Sequence, residues 1–484
     1  MVVFSADGHR WRRTDEIYEP VRIGAGLAET GKLSADGIAR GLATVEVFAH
    51  FCSASGITEV DAVATSAIRD AKNAGEFLKH AALPVRVAST AEESRYGYLA
   101  AVNSTTLSDG AMLDLGGGSM QLVRVASRHD TEYASWPLGA VRMTEQYGLG
   151  VDAVASEKQL QKLREHVTKA LKDAPWLERA GERIVGIGGT VRNLAVAVQR
   201  HAGLLDVGVQ GYRIARDDLD QLVTRLSTLT PAERVRVPGI KPARADLILA
   251  GAIVVQTVMQ VGGFAELEVT EEGLREGVFF SHLLDGDPPL FDDVRRSSVL
   301  NLAAQYHVDH THTAHVAHLA LQLFDGLAAI GLHDADPIER ELLWSACVLH
   351  DIGMAVDYDD HHKHSRYLVL HSGLPGFSQR EVALIGQMVR YHRKGTPVLG
   401  AASSLARDGD GELVRRCALM LRLAEGLERS RDQAVTNVVV KNGKQDAVTL
   451  KLRTEDDAIE VARWAARREG PLFEQTFGRE LRVN

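Results

Sequence analysis

Residues 111–125 read Ala-Met-Leu-Asp-Leu-Gly-Gly-Gly-Ser-Met-Gln-Leu-Val-Arg-Val, and this stretch decides the fold class of the chain. Two apolar strands flank a turn of three glycines, 116–118. Because glycine has no Cβ, the backbone can turn sharply there and approach a ligand closely. The N–H groups of such a turn converge on a phosphate oxygen, and Asp114 at the strand end is placed to hold Mg²⁺. A plain hairpin turn beside a surface aspartate is the alternative for this motif alone.

A second glycine loop, Gly186-Ile-Gly-Gly-Thr190, follows another apolar strand and opens a helix. That order places backbone N–H groups and the positive end of a helix dipole next to an anion. Two such loops, each after a strand, predict a cleft that clamps phosphate from both sides.

The hydrophobic pattern changes twice along the chain. Strand and helix signals alternate over residues 1–285, which predicts an α/β region with further buried strands at 61–65, 84–88 and 183–187. From about Val299 to Leu427, apolar residues recur at helical spacing, which predicts an all-α region. The tail shows a hairpin signal at Asn442-Gly443, then one helix over about 459–477 and an end strand at 480–483. The domain boundaries that we expect are 1–112, 113–285, 295–432 and 433–484.

Composition and charge narrow the class of protein. The residues are 45% hydrophobic and 25% charged, which is typical of a globular protein. A chain of 484 residues is too long for a single hydrophobic core, so we expect several domains. The longest strongly apolar run, 247–255, is far shorter than the roughly 20 residues of a membrane span. Three scattered cysteines favour a reducing compartment, so we expect a cytoplasmic protein without a secretory signal or membrane partner. A net charge of −9 disfavours a specific nucleic-acid partner.

Several motifs, in order along the chain, resemble the exopolyphosphatase and guanosine pentaphosphate phosphohydrolase (Ppx/GppA) family. They are Val21-Arg-Ile-Gly-Ala-Gly-Leu27, Ala64-Thr-Ser-Ala-Ile-Arg-Asp70, Thr90-Ala-Glu-Glu-Ser-Arg95, residues 114–119, Pro137-Leu-Gly-Ala-Val-Arg142, Gly188-Gly-Thr190, Arg244-Ala-Asp246 and Leu274-Arg-Glu-Gly277. Any one motif alone is weak evidence for the family, but the whole set in this order is specific to it. The resemblance covers nearly the whole chain and implies the two-domain actin, Hsp70 and sugar-kinase fold, with 1–112 and 113–285 as its subdomains.

The resemblance also implies roles for individual residues. Glu93 looks like the general base that takes a proton from the attacking water, and the adjacent Glu92 is the alternative. Asp114 looks like the anchor of Mg²⁺, for which Mn²⁺ is the alternative metal. The residues implied in phosphate binding are Arg69, Gly116, Gly117, Gly118, Ser119, Gly188, Gly189 and Thr190. Because members of the family often form dimers, we expect a homodimer.

The sequence departs from the family pattern at two places. Gln121 stands where the family has a second acidic residue, two positions after the loop serine, so one negative charge is missing beside the predicted metal. The chain also opens at Met1-Val-Val-Phe4, which resembles the second strand of the family's first hairpin. We therefore expect that an earlier strand and a first phosphate loop precede this start, and that subdomain 1–112 is N-terminally truncated.

Histidines are concentrated in the helical region, where residues 301–400 hold twelve of the 19. Imidazoles and carboxylates grouped in this way suit a divalent transition metal. Their order resembles the HD phosphohydrolase superfamily, with His312, His350, Asp351 and His362 as its ligands, His361 as the alternative to His362, and Glu425 near the closing aspartate. Longer Ppx/GppA members carry such a domain for substrate binding and dimer formation. Two alternatives stay open: a site for a second divalent metal, or a retired site with structural histidines.

Together these features predict a Mg²⁺-dependent exopolyphosphatase, an enzyme that removes terminal orthophosphate from inorganic polyphosphate. Residues 376–432 carry ten Lys/Arg and seven Asp/Glu, a net of +3, which predicts a basic path for a long polyanion in the helical region. Three alternatives share these motifs: a pppGpp 5′-phosphohydrolase, a metal-dependent phosphohydrolase that works at the HD-like site, and a non-catalytic protein that binds polyphosphate or alarmone.

Overall fold

The computed structural model describes residues 1–8, 10–454 and 459–484. They divide into two compact units. The first comprises Met1–Ala6, Arg12–Gly203 and Val209–Val294, and the second comprises Asp7–Trp11, Leu204–Gly208 and Arg295–Asn484. Strands and helices alternate in the first unit, whereas helices dominate the second.

The first unit is built from short strands and helices. Its strands are β1 (Val2–Ala6), β2 (Trp11–Glu16), β3 (Ala62–Ala64), β4 (Val85–Val87), β5 (Gly110–Leu115), β6 (Met120–Ala126), β7 (His129–Trp136), β8 (Ile184–Ile187), β9 (Tyr212–Ala215) and β10 (Glu266–Val269). Its helices are α1 (Leu27–Thr30), α2 (Ala35–Ala54), α3 (Ser66–Arg69), α4 (Ala74–His80), α5 (Thr90–Ser104), α6 (Ala140–Gln146), α7 (Glu157–Leu171), α8 (Gly189–Ala202), α9 (Arg216–Ser227), α10 (Pro231–Arg234), α11 (Ile248–Gly262) and α12 (Leu274–Leu283).

A six-stranded sheet organises this unit, with the order β7-β6-β5-β8-β10-β9. Strands β5, β8 and β10 run parallel, while β6, β7 and β9 are antiparallel to their neighbours. Side chains of the central strands alternate between two cores, because successive residues of a strand point to opposite faces. Leu113 lies in one core and Met112 in the other. Helices α7 and α11 contribute to the first core and α5 to the second, so both sheet faces are buried.

The N-terminal part forms two small sheets instead of one continuous sheet. Strands β1 and β2 pair with each other, and β3 pairs with β4 in parallel, with Val63 opposite Arg86. Helices α1, α3 and α4 contribute Leu27, Ile68 and Phe77 to a separate small core.

The second unit packs helices around one large core and ends in a three-stranded sheet. Its elements are α13 (Val294–Gln305), α14 (His310–Ala329), α15 (Pro337–Leu349), α16 (His361–His371), α17 (Gln379–Arg390), α18 (Asp410–Leu427), β11 (Val435–Asn442), β12 (Val448–Thr454), α19 (Glu460–Arg467), α20 (Gly470–Phe477) and β13 (Leu481–Val483). The sheet order is β11-β12-β13, and β13 runs parallel to β12. Among the described residues, no helix is both long and apolar enough to cross a membrane.

The predicted strands at 61–65, 84–88, 111–115, 121–125 and 183–187 are confirmed as β3, β4, β5, β6 and β8, and the predicted tail hairpin is confirmed as β11 and β12. The single tail helix predicted over 459–477 is wrong. It is divided into α19 and α20, with Gly470 and Pro471 at the start of the second helix. Proline lacks an N–H for the preceding turn and favours the first positions of a helix, so a new helix begins there.

Candidate functional site

The two predicted glycine loops lie side by side at one edge of the central sheet. Strands β5 and β8 are parallel neighbours, with Asp114 opposite Ile187, so their carboxyl ends meet at the same edge. Gly188 follows Ile187 with φ of +98°, and a Cβ on it would come within 2.8 Å of the Leu115 carbonyl oxygen and 3.2 Å of Asp114 Oδ1. Only glycine fits this close approach without strain.

The first loop is anchored to the start of α6. The Gly116 and Gly117 carbonyls accept hydrogen bonds from the N–H groups of Ala140 and Val141, both at 2.9 Å. A Cβ on Gly118 would lie 2.7 Å from Ser66 Oγ, so the loop also approaches the first residue of α3. In the described part of the chain, the N–H groups of Gly117 and Gly118 have no hydrogen-bond partner. These two groups are therefore available to a ligand anion.

Two neighbouring glutamates at the start of α5 have different surroundings. The carboxylate of Glu92 accepts 2.8 Å hydrogen bonds from the N–H and the hydroxyl of Ser89, which closes a capping box at the helix N-terminus. Glu93 is 6% exposed, and its Oε1 accepts a long 3.5 Å hydrogen bond from Ser119 Oγ, at the end of the first glycine loop. Glu92 thus stabilises the helix end, while Glu93 faces the loop.

Arg69 holds Glu93 in place. Its Nη1 donates to Glu93 Oε2 at 2.7 Å and to the Ala88 carbonyl at 2.9 Å. Because Arg69 is also hydrogen-bonded to a backbone carbonyl, its guanidinium has a fixed position from which it orients the carboxylate of Glu93. Arg142, to which the sequence analysis gave no role, forms an ion pair with Asp70, with Nη2 3.2 Å from Oδ2. It stands at the end of the quoted motif 137–142, so a signal for it was present.

Asp114 is a half-buried carboxylate at the end of β5. No hydrogen bond or ion pair to its side chain is found within residues 1–8, 10–454 and 459–484. Desolvation by the surrounding protein raises the pKa of Asp114 to about 7, and repulsion by Glu93 adds to the increase. An unpaired carboxylate with a second carboxylate beside it suits a divalent cation with oxygen ligands. The site therefore fits the predicted Mg²⁺.

Gln121 lies directly opposite Asp114 in the β5–β6 pair, so the two side chains share one face of the sheet. The amide Nε2 of Gln121 donates to Ser119 Oγ at 2.8 Å and to Ser135 Oγ at 3.3 Å. The position where the family has an acid thus holds a neutral donor that orients the loop serine.

The second loop is covered by an arginine. A Cβ on Gly189 would collide with the guanidinium of Arg244, so this cation lies directly over the N-terminus of α8. Thr190 is buried, and its methyl group fills the space beside Gly251. Arg244 belongs to the quoted motif 244–246 but had no assigned role, since sequence order alone does not show what the side chain covers.

A second group of donor atoms lies in the helical unit. His312 is in the first turn of α14, His350 caps α15, and Glu425 is on α18. The Nε2 atoms of His312 and His350 lie 3.0 Å and 3.4 Å from Glu425 Oε2. Asp351 Oδ1 is 3.6 Å from His350 Nε2. The structure thus brings together three of the residues predicted for an HD-like site, with Glu425 beside them.

His361, and not its neighbour His362, joins this group. Its Nε2 lies 3.3 Å from Asp351 Oδ1 and 3.0 Å from the Nε2 of His392, which the sequence assignment did not include. The ring nitrogens of His362 have no hydrogen-bond partner among the described residues, and its Nε2 is 3.8 Å from half-buried Asp360. We refer to His312, His350, Asp351, His361, His392 and Glu425 as the histidine cluster.

Both units match models of one protein family. Residues 2–285 match the model described as "Ppx/GppA phosphatase family", and residues 294–465 match the one described as "Ppx/GppA phosphatase, domain III". The first match alone covers more than half of the chain.

Solved structures resemble the chain as well. An exopolyphosphatase from Cytophaga hutchinsonii is 21% identical, with a TM-score of 0.53 and coverage of 58% of this chain and 93% of that one. A Ppx/GppA family member from Aquifex aeolicus is 26% identical, with a TM-score of 0.49 and coverage of 58% and 92%. The first of these likenesses supports the predicted fold class. The HD-like identity of the helical region stays a prediction.

Proposed function

Because this chain belongs to the Ppx/GppA phosphatase family, we propose that it is an exopolyphosphatase, which releases terminal orthophosphate from inorganic polyphosphate. The observation that carries the proposal is the position of Glu93. This buried carboxylate is held by Arg69 and faces Ser119 at the end of one glycine loop. A second glycine loop lies beside the first at the same sheet edge.

In the proposed reaction, a water oxygen bonds to the terminal phosphorus while the bond to the bridging oxygen breaks. Glu93 accepts the proton that the water loses. The N–H groups of Gly117 and Gly118 and the N-terminus of α8 bind the terminal phosphate oxygens. Arg244 lies over that helix end and adds a positive charge to it.

Asp114 is the residue that would hold Mg²⁺. A bound Mg²⁺ would neutralise negative charge on the scissile phosphate and on its leaving group. The carboxylate of Asp114 has no ion-pair partner among the described residues, and Glu93 lies close enough to repel its charge, so a cation would be favoured there. The carboxylate of Asp114 lies beside the second loop, where a Cβ on residue 188 would come within 3.2 Å of its Oδ1.

The substrate class is tested by comparing phosphate release from polyphosphate chains of defined length and from pppGpp, with Mg²⁺ or with EDTA. Every donor that we assign to the cleft binds phosphate oxygens, which both substrates carry. We expect release from polyphosphate with the higher kcat/KM, and loss of release in EDTA. Release from pppGpp alone would instead support the pppGpp 5′-phosphohydrolase alternative, and tight binding without release would support the non-catalytic one.

Replacement of Gln121 by glutamate should lower the Mg²⁺ concentration for half-maximal phosphate release by roughly three- to tenfold. The added carboxylate would face Asp114 across the strand pair and attract the cation at short range. The measurement is the rate of phosphate release against Mg²⁺ at fixed substrate. Gln161→Glu on the exposed face of α7 adds the same charge away from the cleft and should leave the Mg²⁺ requirement unchanged. An equal effect of both variants would rule out a local role for position 121.

A further inference from the structure

Two segments of the helical unit that contain no acidic residue lie side by side. Residues 361–371 form α16, and residues 382–396 comprise most of α17 and the turn after it. Together they hold three arginines and two lysines but no Asp or Glu. The start of α16 lies next to the end of α17, because the Nε2 atoms of His361 and His392 are 3.0 Å apart. We define the α16–α17 surface as Lys363, Arg366, Tyr367, His371, Arg390 and Tyr391.

Two arginines of this surface lie close together without a carboxylate partner. Nε of Arg366 donates to Oε1 of Gln387 at 3.0 Å, and this neutral amide is the polar partner that holds the side chain against α17. In the part of the chain that the structure describes, neither Arg366 nor Arg390 forms an ion pair. Burial lowers the pKa of Arg366, and repulsion by the charge of Arg390 lowers it further. Two unpaired guanidinium groups that repel each other favour an anion with several oxygens.

Each of these arginines is followed in the sequence by a tyrosine. Cζ of Arg390 lies 5.4 Å from the centroid of the half-buried Tyr391 ring, which is a cation–π contact. Tyr367 is 61% exposed, and its ring centroid lies 4.4 Å from that of His371. Aromatic rings that alternate with cations on an accessible surface are typical of proteins on which unpaired nucleobases stack.

Lys363 extends the positive charge along α16. Lys363, Tyr367 and His371 are exposed and follow each other at intervals of four residues, so they lie on one face of the helix. Nζ of Lys363 and Nζ of Lys394 lie 2.5 Å and 3.5 Å from the two carboxylate oxygens of Asp360. Because one carboxylate serves both lysines, an excess of positive charge remains beside the tyrosines.

We propose that the α16–α17 surface binds single-stranded nucleic acid. Lys363, Arg366 and Arg390 bind the phosphates of the strand. Its unpaired bases stack on the rings of Tyr367 and Tyr391. The charge of the surface favours a polyanion, and the tyrosines favour a nucleic acid over inorganic polyphosphate, which has no base to stack.

This mode of binding agrees with the charge of the whole chain. Stacking and phosphate contacts read no base sequence, since every base has a π-face. The net charge of −9 disfavours a sequence-specific nucleic-acid partner, but a local surface without acidic residues still attracts a strand at short range. The proposal concerns the second unit alone and does not depend on the reaction in the glycine-loop cleft.

Fluorescence anisotropy of a labelled oligouridylate of about 15 nucleotides tests the surface, since this length is within the range that single-strand binding sites cover. The full chain in EDTA should give a saturable increase in anisotropy. Tyr367→Ala and Tyr391→Ala should each weaken binding about tenfold through loss of stacking. Tyr391→Phe keeps the ring and should bind as the natural chain does. Absence of saturable binding to the natural chain would overturn the proposal.

Tyr133→Ala is the matched control, because Tyr133 is also an exposed tyrosine but lies on β7 of the first unit. It should leave the affinity for the oligouridylate unchanged. Circular dichroism reports the helical content of each variant, and Tyr367 is exposed enough that its removal leaves no cavity in the core. Equal affinities of Tyr367→Ala, Tyr391→Ala and Tyr133→Ala would show that no base stacks on this surface.

The salt dependence of binding tests the arginines. Arg366→Gln and Arg390→Gln should each weaken binding and reduce the slope of log affinity against log salt by about one, because each removes one phosphate contact. Arg225→Gln on α9 of the first unit removes an exposed arginine elsewhere and should change neither quantity. A slope that is the same in all three variants would contradict the assignment of the phosphates to these arginines.

Inorganic polyphosphate with a similar number of phosphates separates the two kinds of polyanion. Added as a competitor, it should displace the oligouridylate only at concentrations about tenfold above those of unlabelled oligouridylate, because it lacks the stacking contribution. In Tyr367→Ala this difference should disappear. Displacement by polyphosphate at lower concentrations than by oligouridylate, in the natural chain and in Tyr367→Ala alike, would assign the surface to polyphosphate and overturn the proposal.

Discussion

Replacement of Glu93 by glutamine should lower kcat for phosphate release by about 10²–10⁴-fold, the usual contribution of a general base. Glutamine keeps the size of the side chain and still accepts from Arg69, but it cannot take the proton of the attacking water. Substrate binding should stay nearly unchanged, since the glycine loops and Arg244 are intact. Steady-state release gives kcat, and equilibrium binding of polyphosphate to the variant gives its affinity.

Glu92→Gln is the control for this experiment, because it changes the next residue and the same functional group. Glu92 closes the capping box of α5 through Ser89, so this variant should keep its kcat. A glutamine at the same position of a capping box also accepts from the Ser89 N–H, so any loss of stability should be small. Loss of turnover in Glu92→Gln with full turnover in Glu93→Gln would show that the two roles are reversed.

Replacement of Asp114 by asparagine should lower phosphate release at least about 10²-fold, because it removes the charged ligand of the proposed Mg²⁺. The same substitution should stabilise the metal-free protein at pH 8. The pKa of Asp114 is raised from its ordinary 3.8 to about 7 in the folded state. Its contribution to folding is therefore most favourable below pH 4 and is lost as the pH rises through 7. Above pH 7 the desolvated carboxylate must be ionised in the folded state, which costs roughly 1–3 kcal/mol after allowance for solvent screening. Asparagine carries no charge and avoids this cost.

The predicted stabilisation by Asp114→Asn is measured by thermal unfolding at pH 8 in EDTA, and again with Mg²⁺. Asp114→Asn should unfold at a higher temperature than the natural chain in EDTA, and this advantage should shrink or reverse with Mg²⁺. Asp109→Asn is the control, because hydrogen bonds from the Ser127 N–H and the Ser108 hydroxyl lower the pKa of that exposed carboxylate. It should give no stabilisation. An activity loss in Asp114→Asn that is accompanied by a lower unfolding temperature in EDTA would indicate misfolding instead of metal loss.

Local patterns were sufficient to predict strands β3, β4, β5, β6 and β8 of the first unit. Strands such as β5 and β8 are mainly apolar runs that are followed directly by glycine. Both features are visible in a few neighbouring residues. The adjacency of the two glycine loops was only an inference from their similarity. It depends on β5 and β8 being parallel neighbours, which requires contacts far apart in sequence.

The sequence by itself determined the α/β and helical regions, the glycine loops, and the grouping of histidines with carboxylates. Only the tertiary structure decided between neighbouring residues of the same type. Successive positions on a helix point about 100° apart, so the packing of a helix decides which of two side chains faces a site. The position of α5 turns Glu93 towards Ser119 and leaves Glu92 at the helix cap. In the same way, α16 turns His361 towards Asp351 and His362 away, and His392 arrives from the end of α17, which no local pattern specifies.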